Sequence, residues 1–190
     1  QKNITLLQLA PPAAGHAHDA SKLGHALEAL CGELNGVHGT MNWYPVNYLT
    51  HAYSREEQAG IYRASRVALV TPLMAGMSLM AKMYVALQDP KNPGVLILSQ
   101  FAGAAGQMDG AIIVNPYDPD AMASAVHRAL QMPLHERRCL HARLMKGLHM
   151  HNSHHWAASF LRMLNNVPAD PEALPPQATF PRLSSSRARY

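Results

Sequence analysis

Cysteine is scarce in this sequence, with only Cys31 and Cys139, far apart and without CxxC spacing. Neither a disulfide framework nor a thiolate zinc site is therefore indicated. Long apolar runs are missing as well, and none reaches the length needed to cross a bilayer. The opening residues Gln1-Lys2-Asn3-Ile4 carry neither an initiator Met nor the greasy stretch of a secretory signal. A soluble, cytoplasmic protein with no membrane partner is the expectation. Charge is sparse too, at 15% of residues with a formal net charge of +4. The basic residues are scattered, apart from Arg182, Arg187 and Arg189 beside Ser184-Ser185-Ser186. That cluster reads as a solvated end, and no nucleic-acid partner is expected. No internal repeat is present.

What the chain does have is 190 residues of which 48% are hydrophobic, enough for one well-packed domain with a single core. Ile4 to Ala10 is a short apolar run closed by Pro11-Pro12, predicting a buried strand. Leu23, Leu27, Leu30 and Leu34 recur at helical spacing between about Asp19 and Asn35, with Gly36 and Gly39 as stop signals. Val46 to Leu49 suits a brief strand, Glu56 to Ala64 a short helix, and Val67 to Thr71 a buried strand ended by Pro72. Ser78 to Gln88 is helical in character, Gly94 to Ser99 is the most apolar strand, and Ala111 to Val114 follows a Gly/Ala-rich loop. Asp118 before Pro119 marks a helix start, and two more helices are expected over about Leu134–Leu148 and Ser153–Asn165. Strands apolar on both faces and alternating with helices argue for an α/β fold with a parallel sheet covered on both sides.

In open parallel sheets ligands bind beyond the carboxyl ends of the strands, where helix N-termini offer unpaired N–H groups. Val70 to Leu79 compresses a strand end, a turn and a helix start into one stretch. Gly76 there allows close backbone approach, and Ser78 or its neighbours can turn amides toward a diphosphate. The small-residue loop Ser99 to Gly106 is a second candidate, as a wall facing a nucleotide.

The stretch from Pro72 to Asp118, PLMAGMSLMAKMYVALQDPKNPGVLILSQFAGAAGQMDGAIIVNPYD, closely resembles the donor-site region of the trehalose-6-phosphate synthases, glycosyltransferase family 20. The likeness extends upstream through Gln8 to Pro11, Asn35-Gly36 and Trp43 to Val46, and downstream through His155-Trp156 and Ala178 to Pro181. The resemblance implies a Rossmann-like parallel sheet with helices on both faces, forming the C-terminal half of a GT-B glycosyltransferase. Residues 1–167 would be its nucleotide-sugar-binding domain and 168–190 a C-terminal tail. The family transfers glucose from UDP-glucose to glucose-6-phosphate with retention, using no metal and no cofactor. It takes most of its glucose-6-phosphate site, and the Arg and Lys that clamp the diphosphate, from chain preceding the matched region.

The family's donor loop usually reads RDGMNLVAKEY, and here the aligned residues run from Met74 to Tyr84. The Asp that would contact the glucose hydroxyls is Ala75, the Asn is Ser78, the Glu that would hold the ribose diol is Met83, and the preceding Arg is Met74. A further Arg expected after the first strand is Ala14. Backbone contacts at Gly76, Met77, Ser78, Leu79 and Met80 do not depend on side chains and would survive. Tyr53 and Arg55 stand where the family places an aromatic and an Arg near the acceptor phosphate. A hydrogen bond to a charged group contributes about 1.5–3 kcal/mol, so loss of the ribose contacts alone would weaken donor binding by a factor on the order of 100. No intact catalytic residue is expected, and UDP or UDP-glucose should bind weakly if at all. Three readings follow: a truncated and catalytically impaired synthase, one half of a split active enzyme, or a non-catalytic module binding a full-length homologous synthase chain.

His151 and His155 share a helical face, yet no carboxylate or thiolate joins them, and no metal site is assigned. Met74, Met77, Met80 and Met83 recur every three residues, a pattern that usually fills a core, although two of these positions replace polar donor-site residues and so allow an exposed apolar patch.

Overall fold

A computed structural model describes residues 4–11 and 17–166, with side chains omitted for 17–21. The sequence expectation for a tail over 168–190 lies outside the described residues, as do Ala14 and the terminal arginines. The chain divides into two compact units, residues 1–65 and 66–190.

The first unit runs β1 (Leu6–Leu9), α1 (Ala17–His38), β2 (Val46–Leu49) and α2 (Arg55–Ala64). β1 and β2 pair in parallel, Leu6 opposite Val46 and Leu9 opposite Leu49. α1 continues through Gly36, and Gly39 is the residue that stops it. A Cβ at Gly39 would lie 2.3 Å from the Asn35 carbonyl oxygen, so the chain can leave the helix there only without a side chain. α2 begins with a full capping box, the Glu57 N–H donating to Ser54 Oγ while the Ser54 N–H donates to the Glu57 carboxylate. β1 is exposed along Leu6 and Leu7 rather than buried as its apolar run predicts. A two-stranded sheet with one principal helix against it cannot enclose both faces, and the described residues of this unit include no buried hydrophobic side chain.

The second unit contains β3 (Val67–Val70), α3 (Leu79–Leu87), β4 (Val95–Ser99), a 3-10 turn (Gly103–Gln107) and β5 (Ile112–Val114). It continues with α4 (Pro119–Gln131), α5 (Leu134–Met150) and α6 (Ser153–Asn165). The strands form one parallel sheet in the order β3-β4-β5. β4, the most apolar run, is central and buried at every residue. β3 and β5 flank it, and each leaves one hydrophobic residue, Leu69 and Ile113, substantially exposed. Val95 and Ile97 pack with Val114 against Ala125, Ala129 and Met132, so α4 and the segment after it close one face. Leu96 and Leu98, also buried, alternate to the other face. α3 packs against β3 and β4, contributing buried Ala81, Tyr84 and Val85. Asp118 caps α4 as predicted, accepting from the Ala121 N–H at 2.9 Å.

α5 fastens the turn between α3 and β4. Buried Arg137 donates to the Pro93 carbonyl and to Asn92 Oδ1, Arg138 donates to the Lys91 carbonyl, and His141 Nε2 donates to the Val85 carbonyl at 3.1 Å. Burial lowers the Arg137 pKa, and neighbouring Arg66 adds to that shift. The turn that launches β4, and with it the adjoining strand ends, is thereby held by side chains contributed from well downstream.

Candidate functional site

β3 ends at Val70, and the chain reaches α3 through Thr71 to Ser78. Ala75 forms an isolated parallel bridge with Ala102, in the loop after β4. The Gly103 N–H donates to the Ala75 carbonyl at 2.9 Å, and the Ala75 N–H donates to the Phe101 carbonyl at 3.4 Å. Both loops singled out from sequence therefore meet at the carboxyl edge of the sheet. A Cβ at Gly76 would meet nothing within 4 Å, whereas one at Gly103 would lie 2.7 Å from the Gly76 carbonyl oxygen. Open space at Gly76 suits the close approach of a ligand, while Gly103 is required by the packing of loop on loop.

Ser78 immediately precedes α3 with φ 51° and ψ 66°, the left-handed region that L side chains adopt at a cost. Its side chain does not cap the helix, in contrast to Ser54 and Asp118. The side chains around this corner are apolar and outward. Met74 is 91% exposed and Met77 64%, with Leu79 and Met80 more than half exposed. The methionine repeat is therefore a surface feature over Met74, Met77 and Met80, and only Met83 is half-buried. These positions fall on a loop and the first turn of a helix, and among the described residues no second layer covers them.

No carboxylate occurs from Thr71 to Met83. The charge at this corner is Lys82, whose Nζ donates to Gln107 Oε1 at 3.3 Å and ties α3 to the 3-10 turn. Phe101 and Tyr117 stand edge to face at 5.9 Å beyond β4 and β5, partly exposed. Neither this pair nor the Ala75–Ala102 bridge was apparent from sequence spacing, because both join segments distant along the chain.

Tyr53 and Arg55 lie in the first unit at the start of α2. Tyr53 is half-buried, edge on to His51 at 5.4 Å, and its carbonyl accepts from Gln58. Arg55 is exposed at the first residue of the helix. Two concavities lie elsewhere. One of about 410 Å³ in the first unit is lined by Cys31, Asn35, Tyr44 and Tyr48 among others, and one of about 300 Å³ in the second by Gln107, Asp109, Arg143, Lys146 and His151 among others. Neither contains a residue of the 74–80 loop. The rings of His151 and His155 meet at 5.3 Å, but among the described residues no group of three His, Cys, Asp or Glu is placed to hold a metal ion. No described helix is long and apolar enough to cross a membrane.

A parallel Rossmann-like sheet with helices on both faces, matching the solved trehalose-phosphate synthases, gives this chain the C-terminal half of a GT-B glycosyltransferase fold. The chain belongs to glycosyltransferase family 20, whose description matches residues 1–166. It is 45% identical over 184 residues to a trehalose-6-phosphate synthase of Citrobacter koseri, covering 95% of this chain and 39% of that protein. The solved UDP-forming trehalose-phosphate synthase of Burkholderia xenovorans superposes with a TM-score of 0.80 at 45% identity, over 86% of this chain and 36% of that one. A trehalose-6-phosphate protein from E. coli, solved with UDP-2-fluoro glucose bound, gives 0.81 at 44% identity, over 87% of this chain and 37% of that one. The chain thus spans well under half the length of the relatives it matches.

Proposed function

We propose that this chain is a donor-side half of a trehalose-6-phosphate synthase-type glycosyltransferase in which donor recognition is impaired by substitution of the loop's acidic side chains. The observation that carries the reading is the corner from Thr71 to Met83, which keeps the glycine and the helix start but holds no carboxylate. The family's reaction passes glucose from UDP-glucose to glucose-6-phosphate, and its transition state needs the departing diphosphate stabilised and the sugar held in register. Backbone N–H groups at the start of α3 are suited to the first task, since the helix dipole favours negative charge there. For the second, Ala75 offers no side-chain acceptor and Met83 only a weakly accepting thioether, where a carboxylate is needed. Binding energy spent on the sugar and ribose is lost, and with it the orientation that lowers the barrier.

Support for the substrate class comes from the relatives: one solved synthase carries UDP-2-fluoro glucose and another glucose-6-phosphate. The exposed Met74, Met77, Leu79 and Met80 favour a second reading, a non-catalytic module that uses this apolar corner to bind a full-length homologous synthase.

Calorimetric titration with UDP and UDP-glucose separates these readings. The unmodified chain should give no micromolar binding, and the Ala75→Asp/Met83→Glu variant should gain measurable affinity. Micromolar binding by the unmodified chain would overturn the impairment and favour one half of a split active enzyme. Failure of the restored variant, with a homologous synthase captured by the unmodified chain, would favour the binding module.

A further inference from the structure

We infer that Gly103 is a positioning residue for the 74–79 loop, fixing where its backbone sits through a pairing that no side chain at 103 would allow. The bridge between Ala75 and Ala102 is an isolated one, made by the Gly103 N–H to the Ala75 carbonyl at 2.9 Å and the Ala75 N–H to the Phe101 carbonyl at 3.4 Å. A Cβ on Gly103 would meet the Gly76 carbonyl oxygen at 2.7 Å and its carbon at 3.3 Å. Both are backbone atoms and cannot rotate aside as a side-chain end would, so one of the two loops must move. Gly103 is not among the residues with positive φ, so an L side chain is compatible with its own backbone and the obstacle is the opposing loop alone. At Gly103 this Gly/Ala loop is a buttress for the loop opposite. The functional consequence rests on the donor-loop reading above, but the geometric one does not.

Gly106 supplies a matched control. It lies in the same 3-10 turn, and a Cβ there would meet nothing within 4 Å. The experiment compares Gly103→Ala with Gly106→Ala by amide NMR and hydrogen exchange of the full chain. Gly103→Ala should shift the amide signals of residues 74–79 and speed exchange at Ala75 by roughly tenfold or more, with little change in thermal midpoint. Gly106→Ala should leave both as they are. Unchanged signals over 74–79 in a folded Gly103→Ala protein, or an equal disturbance from Gly106→Ala, would overturn the inference. Should Gly103→Ala fail to fold, the unmodified chain decides: the Ala75 and Gly103 amides belong to one bridge and should exchange within about threefold of each other, and independent exchange would count against it. In the Ala75→Asp/Met83→Glu background, adding Gly103→Ala should weaken UDP-glucose binding about tenfold, while adding Gly106→Ala should not. If that background binds nothing while the exchange pattern holds, only the donor reading falls.

Discussion

The side-chain amide of Asn35 takes both backbone hydrogen bonds of Val46, its Nδ2 donating to the carbonyl at 2.9 Å and its Oδ1 accepting from the N–H at 3.0 Å. One side chain on α1 thereby stands in for a neighbouring strand at the start of β2. Asn35→Ala leaves a half-buried donor and acceptor without their partners, and should cost the first unit about 1–3 kcal/mol. Asn35→Asp keeps the acceptor but sets a carboxylate against the Val46 carbonyl, so it should not restore the loss. Urea unfolding followed at Trp43, whose indole N–H donates to Thr5 beside β1, reads both variants. Equal midpoints for Asn35→Ala and the unmodified chain would refute the assignment.

Ser78 holds the left-handed conformation without a compensating cap. Glycine occupies that region freely, although it loses more entropy on folding. Ser78→Gly should therefore stabilise the second unit by about 0.5–1 kcal/mol, whereas Ser78→Val should destabilise it by at least as much. Thermal unfolding of the pair provides the comparison, and a rise with valine would contradict the backbone assignment.

Burial raises the Tyr84 phenol above its ordinary value of 10.0. The folded pKa thus exceeds the unfolded one, so the stability this group contributes is fully present below about pH 10 and is lost as pH climbs toward the folded value. Unfolding by denaturant at pH 8 and at pH 11 should show that loss in the unmodified chain and a smaller one in Tyr84→Phe. An equal alkaline loss in both would assign the effect to another group.

Much of the fold is legible in the sequence where local chemistry decides it. Val95 to Ser99 is apolar on both faces and becomes the central strand; Asp118-Pro119 starts α4; the stretch from Ser153 to Asn165 has the bounds its period predicts. Burial is less legible, because it depends on what lies opposite. The run at Leu6 and Leu7 pairs as a strand yet faces water, and the methionines at 74, 77 and 80 have a core-like period yet stand exposed. At the candidate site, the corner and its missing carboxylates are read from residue identity alone. Its support is not, since the Ala75–Ala102 pairing depends on the register with which β3 and β4 align, Val67 opposite Val95.

The uneven distribution of packing has a consequence for how this sequence can drift. Every buried hydrophobic side chain among the described residues belongs to the second unit, from Ala81 to Leu144. A change such as Leu6→Ala removes surface that water already reaches, whereas Ile97→Ala opens a void lined by Val95, Val114 and Ala129 at a cost of about 2–5 kcal/mol. Random substitution would therefore be filtered strongly around β4 and weakly along β1. Sequence change would accumulate fastest along β1 and slowest in the interior around β4.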